Sequence, residues 1–479
     1  MTRLSFLLVA LPSPAAAEQF QDALAYAYAH SPVLGIERAN LRVDGEDVLE
    51  AKAVGRPRVS VLTTHTEDIE QAIPSQFLPD RTLRSDLAVS VPFYRGGAVR
   101  NAVRDAQARF RASSEDYKEA VVQLFGAVAV VYNDVIRDQS IVRYGQQNVN
   151  VLEATLRAAR GRFRIGDLTV TDVAQAEGRL ELAKAGLKAY RAQLITSREE
   201  YVRIVGRAPT QIAAAPQLQN LPDSVGEAVS IALERSNILK GQRFRVEATE
   251  HRIKAAQAER SFRITGTASV NYFNYLDSIG RALPFRPIMD GFAVRAGVTL
   301  DVPLYQGGLP ASRVRRARAE RSAALEQVTE AQRIVIARTR TAYANWRLAL
   351  AFQADAEAAI AANIRAVKGA QKEYAMGLRT LLEVLDLERE FLNSQVAHAS
   401  SERNSNVAAF ALLSTMGVID ASMLEGAVPA DRDAQPLPSP RGSWSDWADG
   451  KRSYDAPGTS TINVAPQNGD VSPTTAEPR

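Results

Sequence analysis

Two hydrophobic periods divide this chain, one of seven residues and one of two. From residue 98 onward, Val103, Phe110, Tyr117, Leu124 and Val131 fall in one row, and Val99, Ala106, Ser113, Ala120 and Ala127 in another. Rows at 3.5-residue spacing predict a helix that packs as a left-handed coiled coil, and the small second row lets a neighbour approach closely. After Gly166 the pattern resumes, with Val173, Leu180, Leu187, Leu194 and Tyr201 beside Ala176, Ala183, Tyr190, Ser197 and Ile204. Stretches 309–373 and 380–417 carry weaker versions, with Arg321 and His398 at core-type positions. A helix over 98–161 runs roughly 95 Å, far more than a globular domain needs.

Elsewhere the period is two. Phe292, Val294, Ala296, Val298, Leu300 and Val302 share one face, opposite Arg295, Gly297, Thr299 and Asp301. Likewise Leu83, Leu87, Val89 and Val91 oppose Arg84, Asp86, Ala88 and Ser90. Strands of about ten residues, apolar on one side and polar on the other, have the length and pattern of tilted transmembrane β-strands.

The elements come twice. Val91-Pro92-Phe93-Tyr94-Arg95-Gly96-Gly97 returns as Val302-Pro303-Leu304-Tyr305-Gln306-Gly307-Gly308, an offset of 211 (305 − 94) that Gly166 and Gly377, then Gly206 and Gly417, repeat. Arg58 matches Arg263 at 205 (263 − 58), so the offset changes between the paired strands, where an external loop lengthens freely. The first half reads as a shorter helical stretch over 18–55, strands over 58–93, a very long helix over 98–161 and another helix over 169–206. The second reads as 224–260, 262–304, 309–373 and 380–417, giving repeats over 18–215 and 223–425. Each chain thus offers four strands, too few to close. A lipid-facing sheet with open edges must find more strands in other copies, about eight from two chains or about twelve from three.

Composition narrows the class. The net charge of +4 comes from arginines interleaved with glutamates, without the concentrated basic stripe that a nucleic acid backbone requires. Met1-Thr2-Arg3, an apolar run from Leu4 to Leu11 and Ala15-Ala16-Ala17 fit a secretory signal over 1–17, cleaved before Glu18. Beyond it no run of eighteen apolar residues suggests a transmembrane helix. Without cysteine the chain has no disulfide and no lipid-modified cysteine, so membrane attachment falls to the fold. Residues 426–479, rich in Pro and Ser, are expected to form a disordered tail, in which Trp444 and Trp447 could anchor a short contact.

Two segments carry a family likeness. Arg162-Phe163-Arg164-Ile165-Gly166-Asp167-Leu168-Thr169-Val170-Thr171-Asp172-Val173 and Tyr374-Ala375-Met376-Gly377-Leu378-Arg379-Thr380-Leu381-Leu382-Glu383-Val384-Leu385-Asp386 resemble the two periplasmic tip motifs of the TolC family of outer membrane efflux proteins and type I secretion channels. The valine-proline-x-tyrosine-x-glycine-glycine segments resemble that family's strand-to-helix joints. The resemblance covers 18–425 and implies a mainly α protein with membrane β: a homotrimeric conduit, four strands per chain in a shared 12-stranded barrel, and coiled-coil helices forming a periplasmic tunnel. It also implies a periplasmic adaptor, an inner-membrane transporter and outer membrane lipid as partners.

Several residues gain roles by that likeness. Ile165, Gly166, Asp167, Met376, Gly377 and Leu378 would meet the adaptor, although glycine there is already explained by a helix reversal that needs positive φ. Glu383 and Asp386 match the acidic pair at the family's narrow entrance, with glutamate at 383 in place of the usual aspartate. Tyr374, Arg379, Thr171 and Asp172 match the latch that holds neighbouring coiled coils together. Thr169 with Asp172 and Thr380 with Glu383 also read as capping boxes, which leaves Asp386 unexplained.

No enzyme chemistry is indicated. His30, His65, His251 and His398 are scattered without ligand spacing, no cysteine is present, and neither a Walker-type nor a dinucleotide glycine loop occurs, so no metal or cofactor is expected. The alternative reading is a periplasmic coiled-coil adaptor or a structural coiled coil. Two complete helix–strand–strand–helix halves speak against it.

Overall fold

A computed structural model describes residues 18–70, 78–215, 218, 221–278 and 288–420. The segments assigned to the signal and the tail lie outside them. In chain order the elements are α1 (Phe20–His30), α2 (Pro32–Ala53), β1 (Arg58–Glu67), β2 (Arg81–Arg95), α3 (Ala98–Arg164) and α4 (Val170–Val205). There follow α5 (Val225–Arg235), α6 (Asn237–Ala258), β3 (Arg263–Asn274), β4 (Asp290–Asp301), α7 (Leu309–Ala375) and α8 (Leu381–Thr415). Helices α3 and α7 are each 67 residues long and start 211 positions apart (309 − 98). Among the described residues the eight glycines with positive φ fall into four pairs at that offset: 96 and 307, 97 and 308, 166 and 377, 206 and 417. The duplication is therefore written into the turns as well as the helices.

Each short helical stretch is broken once. Ser31 adopts ψ 121° ahead of Pro32, which opens α2 at a position where its missing N–H costs nothing. In the second half Ser236 also adopts ψ 121°, and its hydroxyl accepts the Leu239 amide at 3.4 Å. The helical stretches expected over 18–55 and 224–260 are thus two helices each.

All four strands pair antiparallel in the order β1-β2-β3-β4. The register sets Val61 opposite Leu87, Leu87 opposite Val270 and Val270 opposite Val294, so one apolar face crosses the whole sheet. That face is uncovered: Val59, Val61, Phe292, Val294, Val298 and Leu300 are each at least 60% exposed. A monomeric soluble protein rarely leaves so much contiguous apolar surface in water. Among the described residues β1 and β4 are edges, each with one side of its backbone unpaired.

Below the sheet, α3 is the central helix and has packed neighbours on two sides. Its expected rows meet α2 and the turn that follows it, with Phe110 against Gly45 and Val99 against Gly55. A second stripe, Asn101, Ala108, Glu115 and Val122 with Asp105 and Ala112, is buried as well; on this side Arg245 of α6 bonds Asp116, and Arg252 approaches Asp105 at 3.5 Å. Farther along, Val121, Phe125, Val128 and Tyr132 enter a core with Phe20, Leu24, Tyr201 and Phe410. That core explains why α3 contains an 18-residue window of mean hydropathy 1.4, apolar enough by composition to cross a membrane yet 56% buried. At mid-height Glu18 is sealed in: its carboxylate accepts the Tyr201 hydroxyl at 2.8 Å and Arg207 Nη2 at 2.6 Å. Its carbonyl accepts the Tyr132 hydroxyl at 3.0 Å.

Candidate functional site: the turned ends of the helical hairpins

Because α3 and α7 begin directly after their strands, their far ends lie about 100 Å from the sheet at 1.5 Å per residue. Both ends turn alike. The Gly166 amide donates to Phe163 O at 3.0 Å and the Asp167 amide to Arg162 O at 2.9 Å; the Gly377 amide donates to Tyr374 O at 3.1 Å and the Leu378 amide to Glu373 O at 2.9 Å. This is a Schellman ending, which needs a residue at positive φ, here 80° and 76°. Three residues after each glycine the next helix is capped. Thr169 Oγ1 accepts the Asp172 amide at 3.2 Å while the Asp172 carboxylate takes the Thr169 amide at 3.0 Å. Thr380 and Glu383 do the same at 3.4 and 2.9 Å. The threonine amides and hydroxyls hold both carboxyls below the usual carboxylate range, so both are ionised at neutral pH.

The tips are apolar and bare. Ile165, Met376 and Leu378 are 80%, 66% and 73% exposed, with Val170 beside them at 67%. Among the described residues nothing lies within 4 Å of where a Cβ on Gly166 or Gly377 would stand. Asp167 is held back by Arg162 Nε at 2.5 Å.

The four residues matched to a latch are not joined to one another within the chain. Arg379 Nε donates to Glu373 at 2.6 Å, Asp172 is occupied by Thr169, and the Tyr374 ring carries the Arg162 guanidinium 4.8 Å from its centre. Thr171 is exposed on the first turn of α4. The two carboxylates of the acidic pair have different partners. Glu383 turns back onto Thr380, whereas Asp386 accepts Nη2 of Arg179 on α4 at 2.6 Å. Sequence reasoning missed Arg179, Arg162 and Glu373. Only Arg162 left a local sign, an arginine on the turn preceding an exposed aspartate. Behind the tips, Leu381 and Leu385 of α8 pack against Leu156, Ala176 and Leu180, which seats one hairpin on the other.

A lipid-type sheet, helices of this length and two matched apolar tips coincide with one known architecture, and the sequence agrees with it over residues 26–207 and 228–418. The chain belongs to the outer membrane efflux protein family. The family is one of channels: the sheet lies in the outer membrane and the helices extend through the periplasm as the exit duct of an export system. The outer membrane efflux protein BepC of Brucella suis is 28% identical over 86% of this chain and 88% of its own length. TolC of Escherichia coli is 22% identical over 61% of each. Among solved structures, the outer membrane protein VceC of Vibrio cholerae superposes with a TM-score of 0.69 at 21% identity, over 83% of this chain and 96% of that one.

Proposed function

We propose that the chain assembles as a homotrimer whose four-stranded sheets close one barrel of about twelve strands, and that it works as a passive duct without chemistry of its own. The observation that carries this reading is the sheet: an uncovered apolar face bounded by two unpaired edges, β1 and β4. Backbone groups left unpaired in hydrocarbon cost several kcal/mol each, so closure through other copies is required, not optional. The antiparallel order lets β4 of one copy pair with β1 of the next.

At the other end Ile165, Gly166, Asp167, Met376, Gly377 and Leu378 form the surface offered to a periplasmic adaptor that links the duct to an inner-membrane transporter. Their exposure supports this, since an unfilled apolar tip is covered favourably by a partner. Glu383 and Asp386 face the narrow entrance, and Tyr374, Arg379, Thr171 and Asp172 form the latch between neighbouring coiled coils. The energy source lies in the transporter, and so does cargo choice. A wide duct passes what it is given, whether small toxic compounds or an unfolded protein.

Native mass spectrometry of protein extracted from outer membranes tests the assembly; the mass of three chains is expected, and a stable monomer would sink the proposal. Loss of the gene should raise sensitivity to detergents and dyes or empty the medium of a secreted protein, and the pattern identifies the cargo class.

A further inference from the structure

The acidic pair at the expected entrance is not a free pair. Asp386 Oδ1 accepts Nη2 of Arg179 at 2.6 Å, with the two side chains 49% and 26% exposed. Arg179 lies on α4 and Asp386 on α8, so the bond joins the two hairpins of one chain between helices that touch only briefly. Neighbouring cations are engaged elsewhere: Arg162 with Asp167, Arg160 with Glu177 and Arg379 with Glu373. Glu383 is folded back onto the Thr380 amide and hydroxyl, both neutral groups.

We infer that Arg179 is a selectivity-determining and positioning residue of the periplasmic entrance: it cancels the charge of Asp386 and ties α8 to α4. The closed entrance then presents one net negative charge per chain in place of two. This rests on the proposal that Glu383 and Asp386 line the entrance. Rings of charged side chains select ions by the field they set along the axis. A carboxylate with a guanidinium at contact distance contributes only a dipole there, which decays faster than a charge. The pair is half exposed, so it adds little to stability and can break and re-form as the hairpins move apart. Its consequence is therefore electrostatic: the duct is less cation-selective and less readily plugged by multivalent cations than its two acidic residues suggest.

The experiment is planar-bilayer recording of the assembled full-length channel in a KCl gradient, with hexaamminecobalt(III) added as a trivalent blocker. Wild type should prefer cations modestly. Arg179→Gln should raise the cation-to-anion permeability ratio several-fold and lower the half-blocking concentration by about tenfold. Arg179→Lys should behave as wild type. Asp386→Asn leaves Arg179 against Glu383, so the preference should vanish, and Glu383→Gln/Asp386→Asn should reverse it towards anions. If Arg179→Gln leaves ratio and block unchanged while the double variant alters both, the role of Arg179 is wrong. If the double variant alters neither, the entrance assignment itself is wrong. Should Arg179→Gln fail to assemble, Asp386→Asn decides alone, because a channel still clearly cation-selective would overturn the inference.

Discussion

The two strand-to-helix joints offer a controlled comparison inside one molecule. Gly96 and Gly307 occupy the same place in the two repeats and have nearly the same φ, 62° and 58°. An alanine at either must adopt the left-handed region, which costs roughly 1–2 kcal/mol. Their surroundings differ. A Cβ on Gly96 would collide with the Cβ of Ser261 and stand 2.7 Å from Ala258 O, where α6 gives way to β3, whereas one on Gly307 meets nothing within 4 Å among the described residues. Backbone is among the atoms that must yield at Gly96, so an overpacking cost of about 1–3 kcal/mol is added there. Gly307→Ala should then destabilise by about 1–2 kcal/mol and Gly96→Ala by about 2–5 kcal/mol. Thermal loss of helical circular dichroism from the detergent-purified channel measures both, alongside yield in the outer membrane. Equal shifts would refute the reasoning and would mean that something outside the chain, such as a neighbouring copy, packs as tightly on Gly307 as the end of α6 and the turn after it pack on Gly96.

Glu388 is buried between α8 and α7 with Gln371 Nε2 donating to it at 2.6 Å, and burial pushes its carboxyl above the usual range. A raised folded-state value means that the folded protein binds the proton more tightly. Its charge therefore weakens the fold above that raised value and ceases to do so as pH falls towards the ordinary carboxylate range. Glu388→Gln should melt higher than wild type at neutral pH, with the gap closing on acidification; a constant gap would contradict the assignment. Tyr374→Phe with Arg379→Glu should enlarge single-channel conductance by loosening the latch. Each exposed contact is worth only about 0.2–1 kcal/mol, so either change alone should do less, and unchanged conductance in an assembled double variant would remove the latch.

What the sequence reveals follows the range of the interaction. Turns, caps and heptads depend on neighbours a few positions away, so the Schellman glycines, the Thr-x-x-acid caps and the constant offset are legible in the residues alone. The break at Ser31-Pro32 has a local sign too, since proline opens helices and disfavours helical geometry at the preceding residue. The matching break at Ser236 lacks a proline and leaves no such sign. The second stripe of α3 escapes pattern reading because Asn101, Asp105 and Glu115 are polar, and periodicity selects the larger apolar row. Arg179 is illegible for a simpler reason. Its partner is 207 positions away on the other hairpin, and no local period links them.

Closure of one duct from several open sheets is tested most directly by single-channel currents from protein extracted from the outer membrane and placed in a planar bilayer. Discrete, uniform steps carried by a particle with the mass of three chains are expected. Well-folded protein that remains silent in the bilayer and stays in aqueous solution without detergent would contradict that closure and return the chain to the structural coiled-coil reading.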